Sequence, residues 1–143
     1  MVVSSEVMNS NGVGHEALAW LLKDSAIDVL ICGGMGQGAQ DALAEAGIQL
    51  AYHNHAAELT KVAGSKKTML ETFMDLTAGY NVYSELDVHW VTRGGGSPAA
   101  WIRKLAGRIT VIHFKDFALV EKQPVFCEIG EGNLDWQEIL KAC

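Results

Sequence analysis

A strand-then-helix phrase recurs about five times along the chain, with short connections between phrases. No other feature restricts the fold so strongly. Neighbouring parallel strands need long crossovers, and helices supply them. The rhythm therefore predicts an α/β fold, a parallel sheet covered by helices through right-handed crossovers. Strands are expected at Val2–Val7, Ile27–Cys32, Ile48–His53, Asn81–Val88 and Ile109–Phe114. Helices are expected at His15–Lys23, Ala39–Ala46, Thr68–Thr77, Pro98–Leu105 and Asp135–Ala142. Two architectures fit: a partial (β/α) barrel of the TIM type, or an open three-layer α/β sheet. The 143 residues fall short of the ~200 that a closed eightfold barrel normally requires.

Ligands of parallel α/β sheets sit beyond the carboxyl ends of the strands. Here three successive strands end in metal-competent side chains. Gly47-Ile48-Gln49-Leu50-Ala51-Tyr52-His53-Asn54-His55 closes an apolar run with two histidines. Strand alternation puts His53 and His55 on one face and Asn54 on the other. They read either as a metal or proton-transfer site or as hydrogen-bonded caps of the strand. Glu85-Leu86-Asp87-Val88-His89-Trp90 ends its strand in an acid, and alternation groups Asp87 with Glu85 and His89. Asp87 is either a site residue or the cap of the following loop. Val111-Ile112-His113-Phe114-Lys115-Asp116 repeats the arrangement, with His113 and Lys115 on one face. Nitrogen and oxygen donors of this kind suit Mn²⁺, Co²⁺, Zn²⁺ or Mg²⁺. Such an ion polarises a carbonyl while a neighbouring group moves a proton. Trp90 stands beside this proposed site, placed to line a sugar pocket. Trp20, Trp101 and Trp136 fall at helical positions and read as packing.

Gly34-x-Gly36-x-Gly38 lies between a strand and a helix. Free N–H groups at such a helix start suit a phosphate or other small anion, and a purely structural turn is the other reading. The spacing is not the G-x-G-x-x-G of a dinucleotide site, and the next strand ends in His53 rather than an acid. In Glu128-Ile129-Gly130-Glu131-Gly132-Asn133-Leu134-Asp135-Trp136, Asn133 or Asp135 can cap the last helix. Glu131 is either a binding residue or a solvated acid. The net charge of -6 and the lack of a basic block beyond Lys66-Lys67 argue against nucleic acid as partner. The three cysteines, Cys32, Cys127 and Cys143, lack C-x-x-C spacing and suit a reducing cytoplasm. No apolar run approaches the ~18 residues of a membrane span.

From Gly47 onward the chain resembles the xylose-isomerase-like sugar phosphate isomerase/epimerase family. The resemblance rests on Tyr52-His53-Asn54-His55 with Glu58, Glu85-Leu86-Asp87-Val88-x-Trp90-Val91, and Gly107-Arg108-Ile109. It extends through His113-x-Lys115-Asp116 and Glu128-x-Gly130-Glu131-Gly132-Asn133-Leu134-Asp135-Trp136. It implies a (β/α)₈ barrel with a divalent metal at the strand ends and proton transfer next to a sugar carbonyl. By position, Asp87 and His113 match metal ligands, and His53 falls where many members carry a metal-binding, proton-transferring Glu. Lys115 would face the substrate, with His55, Glu58, Trp90 and Glu131 as further substrate contacts. The family's first four strands and its last Glu ligand have no counterpart here.

Residues before Gly47 resemble a different family, the dinitrogenase iron–molybdenum cofactor biosynthesis domain. The matching residues are Gly14-His15-x-Ala17-Leu18, Leu21-Leu22, Ile27 to Ala39, and Ala42-Leu43-Ala44-Glu45-Ala46-Gly47-Ile48. The expectation is a hybrid of two fragments, 1–46 and 47–143, packed as one globular unit. Function follows as a sugar or sugar phosphate isomerase/epimerase. The alternative is a non-enzymatic module that binds a small anion or metal cluster. Open sheet edges of an incomplete barrel predict a homo-oligomer.

Overall fold

The structure is a computed structural model and describes residues 14–32 and 35–143. The expected strand at Val2–Val7, with Gly33 and Gly34, lies outside the described residues. Four strands, β1 (Val29–Cys32), β2 (Gln49–His53), β3 (Val82–Asp87) and β4 (Ile109–His113), form one parallel sheet in sequence order. Consecutive order with right-handed crossovers keeps the helices to one side of the sheet, whereas an open doubly wound sheet reverses its order. The fold is thus part of a (β/α) barrel of the TIM type, and the open three-layer alternative drops away.

Helices α1 (His15–Asp24) and α2 (Gln37–Glu45) flank β1 in sequence, and α3 (Met69–Leu76) joins β2 to β3. Helix α2 stops where Gly47 takes φ +77°, a left-handed conformation that glycine adopts without strain. Helix α3 starts from a capping box: Thr68 Oγ1 accepts from the Glu71 amide, and the Glu71 carboxylate accepts from the Thr68 amide. Two short helices, α4 (Val88–Arg93) and α5 (Pro98–Lys104), fill the crossover to β4. Ser97 caps α5, with Pro98 in its first turn. The Arg108 guanidinium donates to the carbonyls of Met74, Thr77 and Val82, tying the end of α3 to the start of β3.

Two findings depart from the sequence reading. First, β3 ends at Asp87 and α4 begins at once, so His89 is helical and not on the strand face of Glu85 and Asp87. Second, the stretch after β4 is an antiparallel hairpin, β5 (Asp116–Val120) and β6 (Gln123–Cys127). Its two-residue turn has both Glu121 (φ +50°) and Lys122 (φ +66°) in the left-handed region. Asn-Gly or Asp-Gly ordinarily marks such a turn, and neither is present. The last helix, α6 (Trp136–Ala142), is capped by Asp135 as expected.

One core cluster contains Leu70, Met74, Leu86, Val91, Trp101 and Ile139. The other joins Ala19, Ala42, Leu43 and Ala46 to Ile48, Leu50 and Val82, and Phe73 packs against both. No helix among the described residues is long and apolar enough to cross a membrane.

The β3–β4 register shifts between Ser84 and Glu85. Ser84 pairs with Ile109 and Glu85 with Val111, so Thr110 is the extra residue, a bulge. The shift sets His113 opposite Asp87.

Asp116 holds the C-terminal loop. Its carboxylate accepts from the amides of Phe117, Gly130, Gly132 and Leu134 and from the Trp136 indole. Burial raises its pKa, but these donors outweigh that and hold the carboxyl below its usual range. A Cβ at Gly132 would run into the Asp116 carboxylate and the Phe117 carbonyl. Gly132→Ala should therefore cost about 1–3 kcal/mol in urea unfolding, with the m-value unchanged.

Candidate functional site

Parallel pairing brings the carboxyl ends of β1 to β4 to one rim. At this rim β2 delivers His53, β3 delivers Asp87 and β4 delivers His113. Asn54, fully buried behind them, accepts from the Asp87 amide through Oδ1 (3.0 Å) and so locks the ends of β2 and β3 together.

Asp87 is fully buried and divides its carboxylate between two tasks. Oδ1 accepts from the Trp90 amide (2.9 Å) and caps α4. Oδ2 lies 3.2 Å from His53 Nε2 and 3.1 Å from His113 Nδ1. The two ring nitrogens are 3.4 Å apart. The sequence left cap and site as alternatives for Asp87, and one side chain serves both geometries. Donors ~2.0–2.1 Å from a tetrahedral ion stand roughly 3.3 Å from one another. The observed triangle matches that spacing, so the residues fit a divalent metal. The imidazoles, with side chains 24% and 41% exposed, leave the triangle open to small molecules.

Glu85, on the strand position paired with His53, is 8% exposed. Its Oε2 is 3.8 Å from His53 Nδ1. One ligand atom each from His53, Glu85 and His113 lie within 4.8 Å of one another. Sequence reasoning put Glu85 on the face of Asp87 but did not take it as a ligand. The signal was that same alternation.

The His55 ring stacks on His53 (centroids 5.0 Å) and lies 5.3 Å from Trp90. Lys115 Nζ sits 5.1 Å from the Trp90 ring centre and 4.3 Å from that of Phe126. A wall of His55, Trp90, Lys115 and Phe126 thus borders the triangle. Phe126 was not expected because the hairpin that carries it was not. His89 is fully buried against Trp90, Phe117 and Phe126, with both ring nitrogens unpartnered. Burial pushes its pKa down, helped by Lys115 and Arg93 and opposed by Asp87.

The remaining expected residues make local contacts of their own. Glu58 is engaged locally: Oε1 accepts from the Tyr52 hydroxyl and Oε2 from the His55 amide. Glu131 is exposed in the turn after β6, its amide bonded to the Glu128 carbonyl. Gly36 is the N-cap of α2 and Gly38 lies in its first turn, beyond the end of β1. Gly34 lies outside the described residues.

Residues 2–66 match the sequence model of the dinitrogenase iron-molybdenum cofactor family. That match runs past Gly47 and takes in β2 and Glu58. Solved structures resemble the chain over 90% of its length. A sugar phosphate isomerase/epimerase from Parabacteroides distasonis superposes with TM-score 0.70 at 21% identity, over 50% of its own chain. A xylose isomerase domain protein from Planctomyces limnophilus gives 0.67 at 13%, over 52%. A D-allulose 3-epimerase from a Methylomonas species gives 0.59 at 13%, over 49%. The chain spans about half the length of these structures. Identities this low speak for the fold alone. No curated protein matches the sequence. A sequence match to one family thus overlaps a likeness in fold to members of another, which supports the hybrid reading.

Burial, the hydrogen bond to Glu58 and the charge of Glu58 push the Tyr52 phenol up from 10.0 to about 12. Its contribution to stability is fully present below pH 10 and is lost as pH rises through about 12. An ultraviolet titration should show a tyrosine ionising near pH 12, absent in Tyr52→Phe and shifted downward in Glu58→Gln.

Proposed function

We propose that the chain is a sugar isomerase/epimerase-type protein. It acts by divalent-metal-assisted proton transfer beside the carbonyl of a sugar or sugar phosphate. The observation that carries this reading is the triangle of His53 Nε2, Asp87 Oδ2 and His113 Nδ1, with edges of 3.1 to 3.4 Å, at the strand-end rim. His53, Asp87 and His113 would hold Mn²⁺, Co²⁺, Zn²⁺ or Mg²⁺, whose chemistry there is to polarise the substrate carbonyl.

The chain's own groups divide the remaining work. Asp87, held from behind by its bonds to Trp90 and Asn54, fixes both imidazoles. His53 directs Nε2 at the triangle and keeps Nδ1 outside it. A neutral ring ligating through Nε2 carries its proton on Nδ1, so His53 would serve there as ligand and hydrogen-bond donor. It would act as a base only with Nε2 free of the ion. Trp90 and His55 give the sugar's C–H face an aromatic wall. Lys115, held over Trp90, offers its ammonium to a phosphate or to a developing oxyanion. His55, Glu58 and Glu131 are the further substrate contacts in this reading. Residues 1–46 and 47–143 are two fragments joined within the α2–Gly47–β2 phrase, and the core cluster spanning that phrase supports one packed unit. The chain works in the cytoplasm. Strand β4 is an edge of the sheet, which favours self-association. Light scattering at micromolar concentration should give a mass above the 15.4 kDa of one chain, and a sharp monomer would overturn this.

The match of residues 2–66 favours a second reading, a non-enzymatic carrier of a small anion or metal cluster on Cys32 and the Gly34, Gly36 and Gly38 loop. One experiment separates the two. With Mn²⁺ or Co²⁺ in deuterated water, the protein should place deuterium on the carbon beside the carbonyl of a ketose or ketose phosphate. Asp87→Ala and His113→Ala should slow that exchange by at least roughly 100-fold. No exchange across such a panel, with metal or anion binding lost only on altering Cys32 or the glycine loop, would establish the carrier instead.

A further inference from the structure

The two imidazoles of the triangle turn different nitrogens toward it. His53 presents Nε2 to Asp87 Oδ2, whereas His113 presents Nδ1. A ligating imidazole is neutral and carries its proton on the nitrogen away from the ion. His53 then needs its proton on Nδ1 and His113 needs its proton on Nε2, so the two rings must hold opposite tautomers. Which tautomer a ligating ring adopts is set by the hydrogen bond of its outer nitrogen.

The outer nitrogen of His53 faces Glu85, at 3.8 Å from Oε2. Among the described residues the hydrogen bonds of His53 run through Nε2, so Nδ1 has none. Glu85 Oε2 is buried and likewise has no partner. Buried polar atoms are normally paired. A nitrogen without an acceptor thus stands against an oxygen without a donor. A small turn of either side chain closes the gap to the ~3 Å of a hydrogen bond. The sheet builds this pair, because Glu85 is the register partner of His53 on β3.

We propose that Glu85 is a positioning residue. It accepts from His53 Nδ1–H and thereby holds the tautomer that leaves Nε2 free for a divalent ion. The inference rests on the metal-assisted reading and deepens it. Glu85 stands outside the coordination and acts through His53.

The test is long-range proton–nitrogen magnetic resonance of the full chain loaded with Zn²⁺, with Zn²⁺ affinity measured by chelator competition. The wild-type spectrum should show the His53 proton on Nδ1, slow to exchange with water, and the His113 proton on Nε2. Glu85→Gln keeps an oxygen acceptor at the same reach, so the tautomer should persist and affinity should fall by less than about threefold. Glu85→Leu removes the acceptor, so the Nδ1 proton should exchange freely and affinity should fall at least about tenfold. Should Glu85→Leu not fold, Glu85→Met takes its place, and the wild-type spectrum decides by itself. A His53 proton found on Nε2 in the loaded wild type, or wild-type affinity in Glu85→Leu, would overturn the proposal. Zn²⁺ binding lost in Asp87→Asn and His113→Ala would then leave the metal-assisted reading intact. Glu85→Gln as weak as Glu85→Leu would also overturn it, since an acceptor alone would not suffice. A wild-type chain that binds no Zn²⁺ would overturn both.

Discussion

The divided carboxylate of Asp87 is the point on which the rest of the site depends. One oxygen closes the first turn of α4, and the other stands between two imidazoles from neighbouring strands. A helix cap normally rotates to suit its amide, but this side chain is fully buried and its own backbone N–H is held by Asn54. The cap therefore fixes the direction of the free oxygen. Positioning of this kind comes from ordinary secondary-structure chemistry. The same bonds that start α4 also aim the site.

A second buried acid shows the contrast. Asp116 is 1% exposed and accepts from five donors, so its charge is spent on holding the loop before α6. Glu85 is nearly as buried, and one of its oxygens accepts from nothing. A saturated carboxylate organises the chain, whereas an unsaturated one beside ring nitrogens is available for chemistry. Sequence alone could not separate these roles, because neither the position of Glu85 within β3 nor that of Asp116 at the start of β5 shows which donors will reach it.

The parallel order of β1 to β4 was legible because short strand-like runs alternate with helix phrases along the chain. The convergence of His53, Asp87 and His113 followed from one rule, that parallel strands end on one rim. Helix α4 was hidden because Val88 and Trp90 also suit a strand, and only the capping geometry of Asp87 reveals the break. The β5–β6 hairpin was hidden because Glu121 and Lys122 hold a conformation usually given to glycine or asparagine. With the hairpin went Phe126, whose ring lies 4.3 Å from the Lys115 ammonium. The proposed junction at Gly47 also looked sharper in sequence than the comparisons make it, since the iron-molybdenum cofactor match continues to residue 66.

The bulge at Thr110 has a consequence for how this chain can change over time. Pairing steps from Ser84–Ile109 to Glu85–Val111, and so His113 rather than Ile112 stands across from Asp87. Successive residues of a strand look in opposite directions, and a slip of one position would turn the imidazole away. The site thus tolerates substitution within β4 far better than insertion or deletion. What the site itself constrains between Arg108 and His113 is the number of residues, while Ile109 and Ile112 answer to the core they pack against.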